Sequence, residues 1–230
     1  MPVTGLLYDV HGNLPALEAV LADAPSAGVT HWLLGGDYAL FGPWPEETVT
    51  ALRSLADATW IRGNGERWTA HPADAPQDDV VQGAIRACRE ALGADVVDEL
   101  ASLPEQVVLG SARYCHASPV SDVRSFLPAP ADDESELIAG VSEPRLVFGH
   151  THLPFRRADA NGVELLNPGS VGMPFDGDPR AAYAIISDDG HAEHRRVSYD
   201  YEASAAAVRE RFGDASWTER VSARITRARP

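Results

Sequence analysis

The stretch Val3-Thr4-Gly5-Leu6-Leu7-Tyr8-Asp9-Val10-His11-Gly12-Asn13 decides how the rest of the chain is read. Its first six residues are an apolar run of strand length. An acid and an imidazole follow, and a helix signal comes next. Asn13 is a candidate N-cap, Pro15 is tolerated in an opening turn, and Leu14, Leu17 and Leu21 share one stripe. Strand, polar turn and amphipathic helix together make the opening of a βαβ unit.

Further apolar runs follow outward along the chain, at His31 to Leu34, Thr59 to Ile61, Val107 to Leu109, Arg113 to Cys115 and Leu146 to Phe148. A second helix is predicted after Pro45, and residues 78–103 read as one or two helices with a break in question at Gly93. Gly110-Ser111 resembles a hairpin turn. The second half is richer in strands: Pro154 to Arg157 with Val163 to Leu166 around Asn161-Gly162, then Ala182 to Ser187 with Ala192 to Ser198 around Asp189-Gly190. Two helices at about 200–230 close the chain, the last opened by a capping-box pattern, Ser216-Trp217-Thr218-Glu219. There is no repeat and no convincing linker, and residues 117–134 read as a long surface loop or lid. These elements predict a single layered α/β domain over residues 1–230.

Composition narrows the function. A chain of 230 residues with 44% hydrophobic and 23% charged side chains is expected to fold as a globular unit. No run approaches the roughly 18 to 20 apolar residues of a bilayer span, and Met1-Pro2-Val3-Thr4-Gly5 lacks a basic leader, so no membrane partner and a cytoplasmic protein are expected. The 19 cations are all Arg, which excludes a lysine-dependent phosphate loop and Schiff-base chemistry. Against 34 anions they leave a net charge of −15, which disfavours a stable nucleic-acid complex. The arginines from Arg209 onward read as one face of an amphipathic surface helix. Cys88 and Cys115 are too few for a disulfide framework, and strand alternation points Cys115 away from its neighbour His116.

Chemistry concentrates where strands end. Asp9 and His11 follow the first run, Asp37 the second, Asn64 the third, His116 a later one, and His150 and His152 the last. In α/β sheets the carboxyl ends of strands gather along one crevice, so residues distant in sequence meet there. Singly, each is as readily a turn or a packing residue. Together they supply two carboxylates, one amide oxygen and four imidazoles, enough for two divalent ions if one carboxylate bridges. His31, His71, His191 and His194 lack such a setting and read as surface or packing residues.

The ordered blocks Asp9-Val10-His11-Gly12-Asn13, Gly36-Asp37, Gly63-Asn64-Gly65-Glu66, His116 and Gly149-His150-Thr151-His152 resemble the calcineurin-like metallophosphoesterase superfamily. Asn167-Pro168-Gly169-Ser170-Val171-Gly172 and the strand pair after it are similar to the end of its small prokaryotic phosphodiesterase branch. The resemblance implies a layered β-sandwich flanked by helices. It further implies that Asp9, His11 and His152 hold one metal, Asn64, His116 and His150 the other, with Asp37 bridging and a bridging hydroxide as nucleophile. The mixed nitrogen and oxygen set suits Mn, Fe, Zn, Co or Ni, with Mn expected to support activity. The partner is then a small phosphorylated substrate, in one version a nucleotide; oligomeric state stays open.

Asn13 could donate its amide to phosphate, or simply cap the helix. Arg62 and Arg67 could contact a second phosphate, or form exposed salt bridges. Phe41, Trp44, Trp68 and Phe126 could stack on a base or aryl group, or pack. The chain departs from the resemblance at Gly65, where many relatives carry a histidine that serves as a candidate general acid. Glycine transfers no proton, and Glu66 loses the ring it would orient. Such help is worth about 10²- to 10⁴-fold; aryl esters, diesters with a stabilised leaving group and nucleoside polyphosphates depart more readily as anions, so phosphodiesterase or pyrophosphohydrolase activity is expected over broad monoesterase activity. A Gly65→His change would restore the acid if the ring fits. The competing reading is a catalytically weak metal- or nucleotide-binding regulator on the same scaffold.

Overall fold

The computed structural model describes residues 3–230; Met1-Pro2, part of the opening inspected for a leader, lies outside them. In chain order the elements are β1 (Thr4–Leu7), α1 (Leu14–Asp23), β2 (His31–Leu34), α2 (Pro45–Arg53), β3 (Ala58–Trp60), α3 (Asn64–Ala70) and α4 (Asp79–Ala101). They continue as β4 (Gln106–Leu109), β5 (Ala112–Cys115), α5 (Glu134–Leu137), β6 (Arg145–Val147), β7 (Phe155–Ala158) and β8 (Glu164–Asn167). The chain closes with β9 (Ala181–Ile186), β10 (Ala192–Val197), α6 (Tyr201–Phe212) and α7 (Ser216–Arg227).

Two five-stranded sheets result, one in the order β10-β9-β1-β2-β3 and the other β4-β5-β6-β8-β7. The strands that carry the candidate donors run parallel within each sheet: β1 with β2 and β2 with β3, β5 with β6. Both predicted hairpins of the second half form, β7 with β8 and β9 with β10, as does β4 with β5 around Gly110-Ser111.

Strand alternation sorts the side chains into layers. Leu6, Tyr8 and Leu33 of the first sheet meet Tyr114, Val147 and Leu166 of the second between the sheets. Leu7 and Leu34 point the other way, into the larger core under the helices with Leu17, Val20, Val49 and Val221. Cys115, Leu146 and Leu165 face a smaller core with Phe126, Leu137 and Phe148. The layered sandwich flanked by helices is therefore the observed fold. No helix among the described residues is long and apolar enough to cross a membrane.

Gly93 settles the question left over residues 78–103. Its backbone (φ 74°, ψ 162°) is open only to glycine and divides α4 into two helical pieces. The capping pattern at the start of α7 is shifted by one residue: Ala215 is the N-cap, Ser216 is the first helical residue, and Thr218 Oγ1 accepts from Ala215 N at 3.0 Å. Phe126 packs against Phe148 with ring centroids 4.8 Å apart, and Trp68 packs against the larger core, so neither is a stacking platform. Cys115 is buried in the small core while the adjacent His116 turns toward the donors, as alternation requires.

Candidate metal centre

Each donor stands on a loop just beyond a strand or at the first turn of a helix. Asp9 and His11 follow β1, Asp37 follows β2, Asn64 opens α3, His116 follows β5, and His150 and His152 follow β6. The loops are bolted together through the backbone: His11 N donates to Asp37 O at 2.9 Å, Asp9 N to Gly36 O at 3.1 Å, and Gly149 N to His116 O at 2.7 Å. Asp9, His11, Asp37, His150 and His152 all have φ between 50° and 67°. Left-handed backbone costs a residue with a Cβ about 1–3 kcal/mol and persists where surrounding contacts enforce it. Five of the eight non-glycine residues in this region, among the described residues, are candidate donors, so the strain is concentrated at the site.

Three imidazoles are aimed by the same device. His11 Nδ1 lies 2.9 Å from Leu40 O, His116 Nδ1 2.9 Å from Gly35 O, and His152 Nδ1 2.6 Å from Met173 O. Each ring N–H is thereby donated to a carbonyl, and each Nε2 turns its lone pair inward, the arrangement of a metal-ligating histidine. The Nε2 atoms of His11 and His152 then face each other at 3.0 Å. Two lone pairs at that separation repel unless a cation lies between them.

The carboxylates show the same deficit. Asp9 Oδ1 is buried without a hydrogen-bond partner, 3.4 Å from His152 Nε2 and 3.9 Å from both His11 and His116 Nε2. Asp37 presents Oδ2 to His11 at 3.9 Å and Oδ1 to His116 at 3.5 Å, one oxygen toward each half of the cluster. Asn64 Oδ1 faces only acceptors: His150 Nδ1 at 2.8 Å, His116 Nε2 at 3.0 Å and Asp122 O at 3.1 Å. Without a cation the amide would turn to donate; with one its oxygen belongs where it stands. Two groups, Asp9 with His11 and His152, and Asp9 with Asp37 and His116, each bring their donor atoms within 4.8 Å of one another.

Burial favours the neutral, ligating form of two imidazoles and opposes the charged form of both carboxylates. It pushes His11 down to about 3 and His150 down to about 4, in each case helped by a neighbouring imidazole, so both rings are neutral and free to ligate. Burial raises the Asp37 carboxyl, against the pull of His116, with Glu66 and Asp9 adding to the crowding of negative charge. Burial also raises Asp9, but the surrounding His152, His116 and His11 outweigh it and hold that carboxyl well below the usual range. Crowded acids, imidazoles whose Nε2 atoms are aimed inward and an unpartnered oxygen fit divalent metal ions.

Several sequence expectations are corrected here. Asn13 makes no side-chain cap, and its amide is engaged within the protein: it is fully buried and donates to Gly172 O at 2.8 Å and Tyr199 Oη at 3.1 Å. Both amide hydrogens are thus spent. Arg67 holds Asp122 with two bonds of 2.6 and 2.7 Å, and Arg62 pairs with Glu105, so both arginines form the salt bridges of the alternative reading. Glu66 is not orphaned by Gly65. It accepts from Asp37 N (2.8 Å), Tyr38 N (2.8 Å) and Gly63 N (2.7 Å), tying the loop after β2 to the start of α3. A Cβ at Gly65 would stand 2.8 Å from Asp37 Oδ1, the atom to which Gly65 N already donates at 2.6 Å. A histidine there fits only by displacing the Asp37 carboxylate.

Other residues of the site carry no local signal in the sequence. Phe175 stacks on His152 at 4.4 Å and Phe41 lies 5.7 Å from His11; of the four aromatics considered from the sequence, Phe41 borders the donors, whereas Trp44 is the N-cap of α2. Asp122, in the 117–134 loop, reaches both Arg67 and Asn64. The end of β8 and the segment after it lock the donors from behind: Asn167 Nδ2 donates to Gly149 O and Thr151 Oγ1, both at 3.0 Å, and Ser170 Oγ to Asp9 O at 2.7 Å.

The calcineurin-like phosphoesterase superfamily domain matches residues 3–190. The chain is 28% identical to the uncharacterized protein MJ0912 of Methanocaldococcus jannaschii over 218 residues, 85% of this chain and 87% of that one. A metallophosphoesterase from Sphaerobacter thermophilus superposes with a TM-score of 0.83 at 28% identity, covering 99% of both chains. The hypothetical protein PH1004 from Pyrococcus horikoshii OT3 shares the fold, with a TM-score of 0.87 at 19% identity over 99% of both. With its donors, their order along the chain and the domain match in agreement, this chain belongs to the calcineurin-like phosphoesterase superfamily.

Proposed function

We propose that this chain is a two-metal hydrolase of phosphodiesters or nucleotide pyrophosphates, with manganese the ion most able to support turnover. The observation that carries this reading is the convergence of seven donors from five strand ends beside a glycine where a general acid would stand. Asp9, His11 and His152 would hold one ion and Asn64, His116 and His150 the other, with Asp37 between them. Divalent ions supply Lewis-acid charge that lowers the pKa of water and offsets negative charge developing on phosphorus.

The chain's own part is to hold that geometry. Backbone carbonyls fix the three ring orientations, Gly65 N and Glu66 fix Asp37 and its loop, and His150 N donates to Asp9 Oδ2 at 3.0 Å. A cavity of about 400 Å³ beside His116, walled by the ion-paired Arg62 and Arg67 and edged by Val120 and Val123, gives room for the second ester group. No side chain at position 65 delivers a proton to a departing alkoxide, so leaving groups that are stable as anions are favoured.

The experiment compares an aryl phosphodiester, a dinucleoside polyphosphate and an alkyl monoester under Mn. The first two should turn over at least about 10²-fold faster than the third; alkyl monoester turnover equal to or above theirs would reject the preference. Metal should also stabilise the fold. At a concentration 100-fold above its dissociation constant it should contribute about 2.7 kcal/mol and raise the melting temperature by roughly 5–10 °C over chelator-treated protein. Identical melting curves with and without Mn would show that the donors take no ion.

A further inference from the structure

The apolar side of α7, with Trp217, Val221 and Ile225, is buried against the larger core. Its other side carries Arg220, Arg224 and Arg227 at the i, i+4, i+7 spacing of one helical stripe. With Arg229 they line a hollow of about 630 Å³ floored by Ala223. Among the described residues none of the four lies within 4.0 Å of a carboxylate, whereas most of the chain's other arginines do. Glu219 is the one acidic side chain on the wall, which Pro230 also lines, and it pairs with none of them. Arg224 Nε is buried with no hydrogen-bond partner. Burial, then the neighbouring Arg220, push its guanidinium down, with Asp78 opposing.

Gathering four cations with no carboxylate in ion-pair range is costly, and the helix explains only part of it. Arg224 and Arg227 sit in the last turn, where terminal carbonyls favour a cation. Arg220 stands in the first half of the helix and has no such benefit. We propose that this hollow binds a compact polyanion of the oligophosphate class, at a site that shares no residue with the metal centre. The planar guanidinium fork matches pairs of phosphate oxygens, and the volume lies within the roughly 300–1,000 Å³ of small-molecule sites. A long phosphate backbone fits less well, because the surrounding chain, at −15 overall, repels it beyond the hollow.

The test is calorimetric titration of the full chain with tripolyphosphate. A saturable site should be present in the wild type and persist in Asp37→Asn, which removes an acid from the metal centre. Arg220→Gln with Arg224→Gln should weaken it by about tenfold or more. Arg227→Gln with Arg229→Gln, both exposed, should weaken it as well, so the outcome does not depend on how the half-buried Arg224 tolerates replacement. Unchanged affinity in both double variants, loss of the site in Asp37→Asn, no saturable heat in the wild type, or displacement of tripolyphosphate by duplex DNA or anionic vesicles would each overturn it.

Discussion

Asp37→Asn is expected to lower Mn-dependent phosphodiester turnover by about 10³-fold or more, since several kcal/mol of transition-state stabilisation depend on the ions being held as a pair. Asp37 offers one carboxylate oxygen toward His11 and the other toward His116, and an amide replaces a charged donor by a weaker one on each side. Metal content, read by elemental analysis, should fall in parallel. The fold should survive. In the metal-free chain burial disfavours the Asp37 carboxylate, and Glu66 and Asp9 add like charge, so an isosteric neutral side chain relieves rather than creates an electrostatic cost. Circular dichroism and a melting temperature equal to or above that of the metal-free wild type would accompany the loss. Near-normal turnover would remove Asp37 from the proposed centre. A chain that retains ligand binding but shows no turnover even as wild type would favour the regulator.

Glu66→Ala should be the most destabilising single change around the site. It leaves the backbone N–H groups of Asp37, Tyr38 and Gly63 without an acceptor in a region where Glu66 is 4% exposed. At about 1–3 kcal/mol for each unsatisfied buried donor, partly offset by no longer burying a charge, the loss should be about 3–5 kcal/mol. For a chain of this size that lowers the melting temperature on the order of 10 °C. Glu66→Gln should fall between, because Oε2 accepts two of the three bonds and an amide oxygen can keep them. Equal melting temperatures for all three proteins would show that the acid has no structural duty. The same contacts make Glu66 a positioning residue for Asp37, so the Gln variant should lose metal affinity as well as stability.

Much of this was legible from the chain alone because strand ends are a local property. An apolar run of four to six residues, a ligating side chain immediately after it and a helix pattern beyond it place Asp9, Asp37 and Asn64 at one crevice without knowledge of their partners. Asn13 was misread for the complementary reason. An Asn before Leu14 is a sound local argument for a cap, yet its amide is claimed by Gly172 O and Tyr199 Oη, 159 and 186 residues away. Glu66 was misjudged similarly: its neighbour in sequence is missing, but its partners come chiefly from the loop after β2. Phe175, Asp122 and Tyr199 left no local mark, since each reaches the site only after its loop or strand has folded back.

The linear order of residues thus determined the layered architecture, the strand-end placing of the seven candidate donors and the family, because hydrophobic period and strand-end chemistry act over a few residues. Only the folded molecule decided that three rings surrender their Nδ1 protons to carbonyls, that Gly65 leaves space filled by Asp37, and that Arg67 is held by Asp122 while Arg220 and Arg224 have no carboxylate beside them. Such choices are competitions among hydrogen-bond and charge partners brought together by packing, and they have no counterpart along the chain until the sheets and helices have closed around them.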